Sequence, residues 1–149
     1  MERRAAARGT SQGKGLMNRF EDVVQSGLKT HANLRLLSLF VRAVPAGPHA
    51  AYHFAGARLV PVLSLNKVVS PTLCFERLKE EADQIDGSWD FILLLALAKP
   101  DGTLPTAEEA ERHLSRRADE AWISGDLSTF LVFDRNAQPL ELTAERRLH

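Results

Sequence analysis

Six polar side chains follow the three segments of this sequence that are predicted to be strands of one sheet: Lys67, Ser70, Lys99, Thr106, Asp134 and Arg135. Ligands bind outside the carboxyl ends of parallel strands, so strands running in parallel would bring these six side chains to one rim. Ser70 and Thr106 also precede predicted helices, whose first turns present free N–H groups and the positive end of the helix dipole. The sequence therefore predicts a candidate site for a small anion, with Lys67, Lys99 and Arg135 as its cations.

The same residues have a purely structural interpretation, which we favour. Ser70 and Thr106 are typical helix caps, and Lys99 begins a turn over 99–102. Polar residues also collect at strand ends in α/β proteins generally. No glycine-rich phosphate loop of the form GxGxxG or GxxxxGK[S/T] occurs in the chain.

Other catalytic and metal-binding patterns are weak. Cys74, the single cysteine, lies one helical turn beyond Ser70, where a thiol can become nucleophilic. Its place beside Phe75 and Leu78 on an apolar face is more typical of an inert core residue. His49 and His53 have the HxxxH spacing, but they flank the first predicted hairpin and do not lie on a predicted helix; no HExxH motif occurs, and no serine lies in a GxSxG turn. We therefore expect no metal, no cofactor and no catalytic residues.

Apolar periodicity and turn residues predict the elements that position these side chains. We predict helices at 18–29, 71–85 and 107–124, and strands at 34–44, 51–55, 59–65, 89–98, 129–133 and 140–142. A capping box formed by Thr106 and Glu109 begins the last helix, and Gly125 ends it. Gly56 lies in a tight hairpin between the second and third strands.

The arrangement of these elements predicts the fold class. Residues 89–98 are apolar at every position but Asp90, which indicates a central strand buried on both faces. We expect Asp90 itself to be an exposed strand start, with a buried acid as the alternative. Pro61 lacks a backbone donor, so its strand lies at an edge or starts late. Strands and helices alternate from 59 to 133, as in parallel βαβ units. We predict a single α/β domain over 17–143, with a mixed sheet of about five strands, βαβ units and helices packed on it.

The two ends of the chain differ from this domain. The chain has 149 residues and a formal net charge of zero. Residues 1–16 hold four basic residues against one acidic residue, so they carry +3 and the remainder carries −3. We predict that 1–16 are disordered, either as an upstream extension of the reading frame or as a basic arm that contacts phosphates, and that 144–149 fray. No apolar run is long enough for a membrane span, and no apolar segment of the kind a secretory signal requires follows the N-terminal arginines, so we expect a cytoplasmic location.

Four segments carry a resemblance to a known family: LRLLSLFVRA, LVPVLSLNKVVSP, WDFILLLALAKPDGTLPTAEEAERHL and GDLSTFLVFDRNAQPLEL. Over about residues 33–142 the chain resembles a small bacterial protein family without an established function, some of whose members are labelled as related to ribonucleotide reductase. That chemistry requires a radical cysteine and a redox cysteine pair, whereas this chain has Cys74 alone. The family's DRxG turn reads Asp134-Arg135-Asn136-Ala137 here, and we expect Asn136 to adopt the left-handed conformation in place of glycine.

These observations favour a non-catalytic binding or accessory module whose partner is another protein or a second copy of the chain, joined through an edge strand. The alternative is a small enzyme or an anionic-metabolite-binding protein that uses Lys67, Lys99 and Arg135. A third hypothesis is weak nucleic-acid binding through residues 1–16. The acidic charge of the remaining chain makes nucleic acid the least favoured partner.

Overall fold

The computed structural model describes residues 20–50, 52–54, 56–142 and 145–146. The helices are α1 (Phe20–Thr30), α2 (Phe75–Ile85) and α3 (Ala107–Ser124). The strands are β1 (Arg35–Pro45), β2 (Tyr52–His53), β3 (Ala57–Val68), β4 (Phe91–Leu97), β5 (Leu131–Asp134), β6 (Pro139–Leu140) and β7 (Glu145–Arg146). The predicted arm at 1–16 lies outside the described residues. Of the segment 144–149, only the two residues of β7 are described.

Five strands form one open sheet in the order β3-β1-β4-β5-β6, and β2 pairs with β7 in a separate two-stranded sheet. The single-domain α/β fold, with a five-stranded sheet and helices packed on it, is confirmed. The predicted mixed sheet, with parallel neighbours among 59–65, 89–98 and 129–133, is wrong in its strand directions, because every neighbouring pair in the five-stranded sheet is antiparallel. β3 and β4, which are connected by α2, do run in the same direction, but β1 lies between them in the sheet. β5 then returns antiparallel beside β4.

The sheet has an apolar core on each face because its central strands alternate. Leu37 and Leu39 of β1 pack toward α3, whereas Leu36 and Phe40 pack toward α1 and α2. In β4, neighbouring side chains point to opposite faces of the sheet and are buried there. Leu93, for example, is 0% exposed. The prediction that this strand is central is confirmed, and burial on both faces is confirmed for Phe91–Leu94, whereas Ala96 is exposed.

The starts of α2 and α3 differ from each other. The Thr106–Glu109 capping box is present at the start of α3, and Gly125 ends that helix in the left-handed conformation at φ 77°. Ser70 was expected to cap α2, but it does not. The N-cap position of this helix is Cys74, four residues after Ser70. The Ser70 carbonyl instead accepts a hydrogen bond from Leu73 N–H in a turn that precedes the helix.

Two other local predictions need correction. The hairpin expected between 51–55 and 59–65 does not form, since β3 pairs along its length with β1 and only Phe54 forms a bridge with Ala57. Gly56 does adopt a positive φ of 83° at that turn. In the β5–β6 turn, Ala137 rather than Asn136 takes the left-handed conformation, at φ 62°. The strand predicted at 140–142 is present as β6, one residue earlier, and it pairs antiparallel with β5.

Candidate functional site

The predicted anion rim is divided between opposite ends of the sheet. β3 and β4 both run antiparallel to β1, so Lys67 and Lys99 lie at the end where these two strands finish. β5 runs antiparallel to β4, and Asp134 and Arg135 therefore follow it at the opposite end. The prediction that Lys67, Lys99 and Arg135 share one rim is wrong, because β5 reverses direction beside β4.

At the first end, both lysines are paired with carboxylates. Lys67 pairs with Glu81 of α2, and Lys99 Nζ donates to Glu109 Oε2 at 3.0 Å. The hydrogen bond to Glu109 is the main cause that raises the pKa of Lys99. The Thr106 hydroxyl is also engaged, since it accepts the N–H of Glu109 at 3.0 Å. Neutralised cations attract a free anion only weakly, so this end of the sheet is poorly suited to anion binding.

At the opposite end, Arg135 forms a compact structural contact. Its guanidinium donates to both carboxylate oxygens of Asp83, at 3.0 and 2.8 Å, and to the carbonyl of Trp89 at 3.2 Å. Asp134 is buried, and its Oδ1 accepts the N–H of Asn136 at 2.8 Å. These contacts assign both side chains structural roles. Anion binding by any of the six residues named at the sequence level stays a prediction.

The remaining sequence candidates also have structural surroundings. Cys74 is half-buried at the start of α2 and makes no side-chain capping bond there. Asp90 is half-buried, between the two alternatives predicted for it, and its Oδ2 accepts the N–H of Ala43 at 2.8 Å. Burial is the main cause that lowers the pKa of His113, followed by the charges of Arg117 and Arg116. Within the described parts of the chain, no three His, Cys, Asp or Glu side chains gather where they could hold a metal ion.

The feature best suited to binding is the long edge of the sheet formed by β3. This strand has 12 residues and lies at one end of the strand order, whereas β6 at the other end has only 2. The prediction that Pro61 belongs to an edge strand is confirmed. An edge strand presents unpaired backbone groups to any chain that can lie beside it, and very short edge strands are one way of avoiding such pairing.

The first part of this edge is protected. Ala57 exchanges two backbone hydrogen bonds with Phe54, at 2.8 and 3.1 Å. The outward carbonyl of Leu59 accepts a hydrogen bond from Nε1 of Trp122 in α3, at 3.2 Å. Outward residues alternate along a strand, so Pro61 is the next one, and it has no N–H to donate. From 57 to 61 the edge is therefore partly blocked, because Ala57 is paired, the Leu59 carbonyl is occupied and Pro61 lacks a donor.

The second part of the edge is open. Val69 N–H donates to the carbonyl of Leu34 at 2.9 Å, which fixes the alternation of hydrogen bonds between β1 and this end of β3. It follows that the backbone N–H and C=O groups of Ser64, Asn66 and Val68 point away from β1. No strand among the described residues pairs with them. We call residues 62–68 the open segment.

The side chains of the open segment suit a partner strand. Val62, Leu63 and Leu65 are partly buried against the core beneath α1 and α2. Ser64 is small and exposed. Lys67 is the one charged residue of the segment, and its charge is paired with Glu81. Natural edge strands commonly avoid unwanted pairing by carrying charges, especially lysine. The open segment has little of that protection.

The sequence predicts the edge strand but not which of its backbone groups face outward. Pro61 signalled an edge strand, yet which carbonyls and amides face outward depends on a register shift between β1 and β3 near Phe40 and Val41. The run from Val62 to Val68, with a single charge after a proline, was the available signal for an open edge. Nothing in the sequence indicated that Trp122, 63 residues away, would bond to Leu59.

Comparisons with models of protein families, with curated proteins and with solved structures gave no match to this chain. Of the three helices that the structure describes, none has both the length and the apolar character needed to span a membrane.

Proposed function

We propose that this protein is a non-catalytic binding module that associates with a second copy of itself through the open segment of β3. The observation that carries the proposal is the outward direction of the backbone groups of Ser64 and Asn66 on a long, weakly charged edge strand. Backbone hydrogen bonds between added strands are a common basis of protein recognition.

The open segment is complementary to itself. An antiparallel pairing centred on Leu65 places Ser64 of one copy opposite Asn66 of the second copy. Both residues have outward N–H and C=O groups, so the pair and its symmetry mate form four backbone hydrogen bonds. A two-fold axis is the usual symmetry of a homodimer, and it requires a surface that matches its own copy.

Charge does not oppose this arrangement. Pairing about Leu65 places Lys67 opposite Leu63 of the second copy, so no two lysines are directly opposed. Glu81 already pairs with Lys67 in each copy. Like charges facing each other across two strands would be destabilising, and this register avoids them.

A proline substitution tests the proposal directly. Ser64→Pro removes an outward N–H and leaves the hydrogen bonds between β1 and β3 intact, as Pro61 already does in the same strand. Ser64→Val is the matched control, because it changes the side chain and keeps the N–H. We expect light scattering during size-exclusion chromatography to show a dimer for the wild type and for Ser64→Val. We expect Ser64→Pro to raise the dimer dissociation constant by about tenfold or more.

Two results would contradict the proposal. One is a wild-type protein that stays monomeric at every concentration. The other is a dimer of the same affinity in Ser64→Pro, whose fold is checked by circular dichroism and thermal melting.

A further inference from the structure

A cavity of about 250 Å³ lies between the C-terminal part of α3 and the start of β3, away from the open segment. Its described lining is apolar apart from one residue, and the apolar residues are Ala50, Phe54, Leu59, Ala121, Trp122 and Leu127. Phe54, Leu59 and Leu127 belong to the buried core on the α3 face. The cavity is therefore lined in part by residues of the packed core.

Arg58 is the one charged residue among the described residues that line this cavity. It is exposed, and no ion pair or hydrogen bond of its side chain occurs in the part of the chain that the structure describes. Strand alternation directs its Cβ to the face opposite Leu59. Because β3 is an edge strand, a long arginine side chain can bend around that edge toward the cavity mouth.

We infer that the cavity binds a small organic acid with an apolar body, and that Arg58 binds the carboxylate of that acid. A cavity of about 150 Å³ is enough to hold benzene in a protein core, so this larger one accommodates an aromatic ring with a short side chain. The usual ligand pocket is mostly apolar, with a few polar groups that fix the orientation of the ligand. The planar guanidinium of arginine matches a carboxylate with two parallel hydrogen bonds.

Trp122 makes the binding measurable. It is one of two tryptophans in the chain, and it lines the cavity. The other, Trp89, is only 1% exposed and stacks against Arg135. A ligand in the cavity changes the surroundings of Trp122 and leaves those of Trp89 unchanged, so the change in fluorescence reports occupancy of this site.

The test is a fluorescence titration with 3-phenylpropionate and with its uncharged amide, 3-phenylpropanamide. We expect a saturable change with the acid in the wild type, and weaker binding of the amide by about tenfold, which corresponds to the loss of one charge-assisted interaction. In Arg58→Gln, we expect the acid to bind about tenfold more weakly and the amide to bind as it does to the wild type. Ala50→Phe fills the cavity, so neither compound should bind to it.

The inference is overturned if neither compound gives a saturable change in the wild type, or if acid and amide bind equally well. It is also overturned if Arg58→Gln binds the acid with wild-type affinity. Arg58 is exposed and its substitution leaves the core intact, so this variant remains informative even if Ala50→Phe fails to fold. The oligomeric state of Arg58→Gln is expected to be that of the wild type, which separates this test from the one on self-association.

Discussion

The guanidinium carbon of Arg135 lies 4.0 Å from the centre of the Trp89 ring while the same group binds both carboxylate oxygens of Asp83. Trp89 Nε1 also donates to Asp83 Oδ1 at 2.9 Å. These three residues come from α2, from the segment before β4 and from the turn after β5. Their contacts join three parts of the chain, the most distant of which are 52 residues apart in the sequence.

Arg135→Lys is expected to destabilise the protein by about 2 kcal/mol. Lysine can neither bind both carboxylate oxygens in one plane nor stack on the indole ring as arginine does. Denaturant unfolding followed by the fluorescence of Trp89 and Trp122 measures the loss.

Arg117→Lys is the matched control for that change. Arg117 forms an exposed pair with Glu120 at 3.3 Å, and pairs of this kind contribute little to stability. We expect its loss to be below about 0.5 kcal/mol. Equal losses in the two variants would contradict the structural role of Arg135.

Ala137→Gly is expected to stabilise the protein by about 0.5 kcal/mol. Ala137 has a φ of 62°, a conformation that costs an alanine about 1 kcal/mol or more and a glycine very little. Part of this gain is offset because glycine makes the unfolded chain more flexible. The expected change in melting temperature is an increase of about 2 °C.

Ala118→Gly, in the middle of α3, is the control for the same chemical change. Glycine lowers helix stability by about 1 kcal/mol, so this variant should melt at a lower temperature. A lower melting temperature for Ala137→Gly as well would contradict the prediction that relief of backbone strain exceeds the lost contact of the Ala137 methyl group with the core.

Glu109→Gln is expected to lower the stability of the protein at neutral pH. It is also expected to make that stability change less as the pH falls into the acid range. The backbone N–H of Thr106 and the ammonium of Lys99 hold the pKa of Glu109 below its ordinary value. A carboxyl whose pKa is lower in the folded state adds stability above its unfolded pKa, and this contribution is lost as the pH falls through the folded pKa. The difference in melting temperature between wild type and variant should therefore be largest near pH 7 and shrink in the acid range.

Glu108→Gln is the control, since Glu108 lies in the same helical turn and the capping box uses Glu109. We expect a smaller change in melting temperature from it. A difference for Glu109→Gln that stays constant from pH 7 to strongly acidic pH would contradict the assignment.

Local features were predictable where the residue type alone determines the conformation. The capping box at Thr106, the left-handed Gly125 and the edge position of Pro61 follow from hydrogen-bonding capacity or permitted backbone angles, and each is present. The apolar run of β4 likewise indicated burial on both faces.

The relative direction of the strands was not predictable in the same way. Alternating strands and helices fit parallel units as well as the observed arrangement, in which β1 lies between β3 and β4. The antiparallel direction of β5 beside β4 places Arg135 at the end of the sheet opposite Lys67 and Lys99. Ser70 failed as a cap because a turn through Leu73 intervenes before the helix begins.

Amide hydrogen exchange at Ser64 and Asn66, followed by NMR at several protein concentrations, reports whether the open segment pairs with a second copy of the chain. Leu63 and Leu65 bond inward to β1, so their amides should exchange slowly at all concentrations. If the open segment pairs with a second copy, the amides of Ser64 and Asn66 become more protected as concentration rises, and Ser64→Pro removes the effect at Asn66. Rapid exchange of both amides at every concentration, with Leu63 and Leu65 still protected, would contradict the proposed self-association.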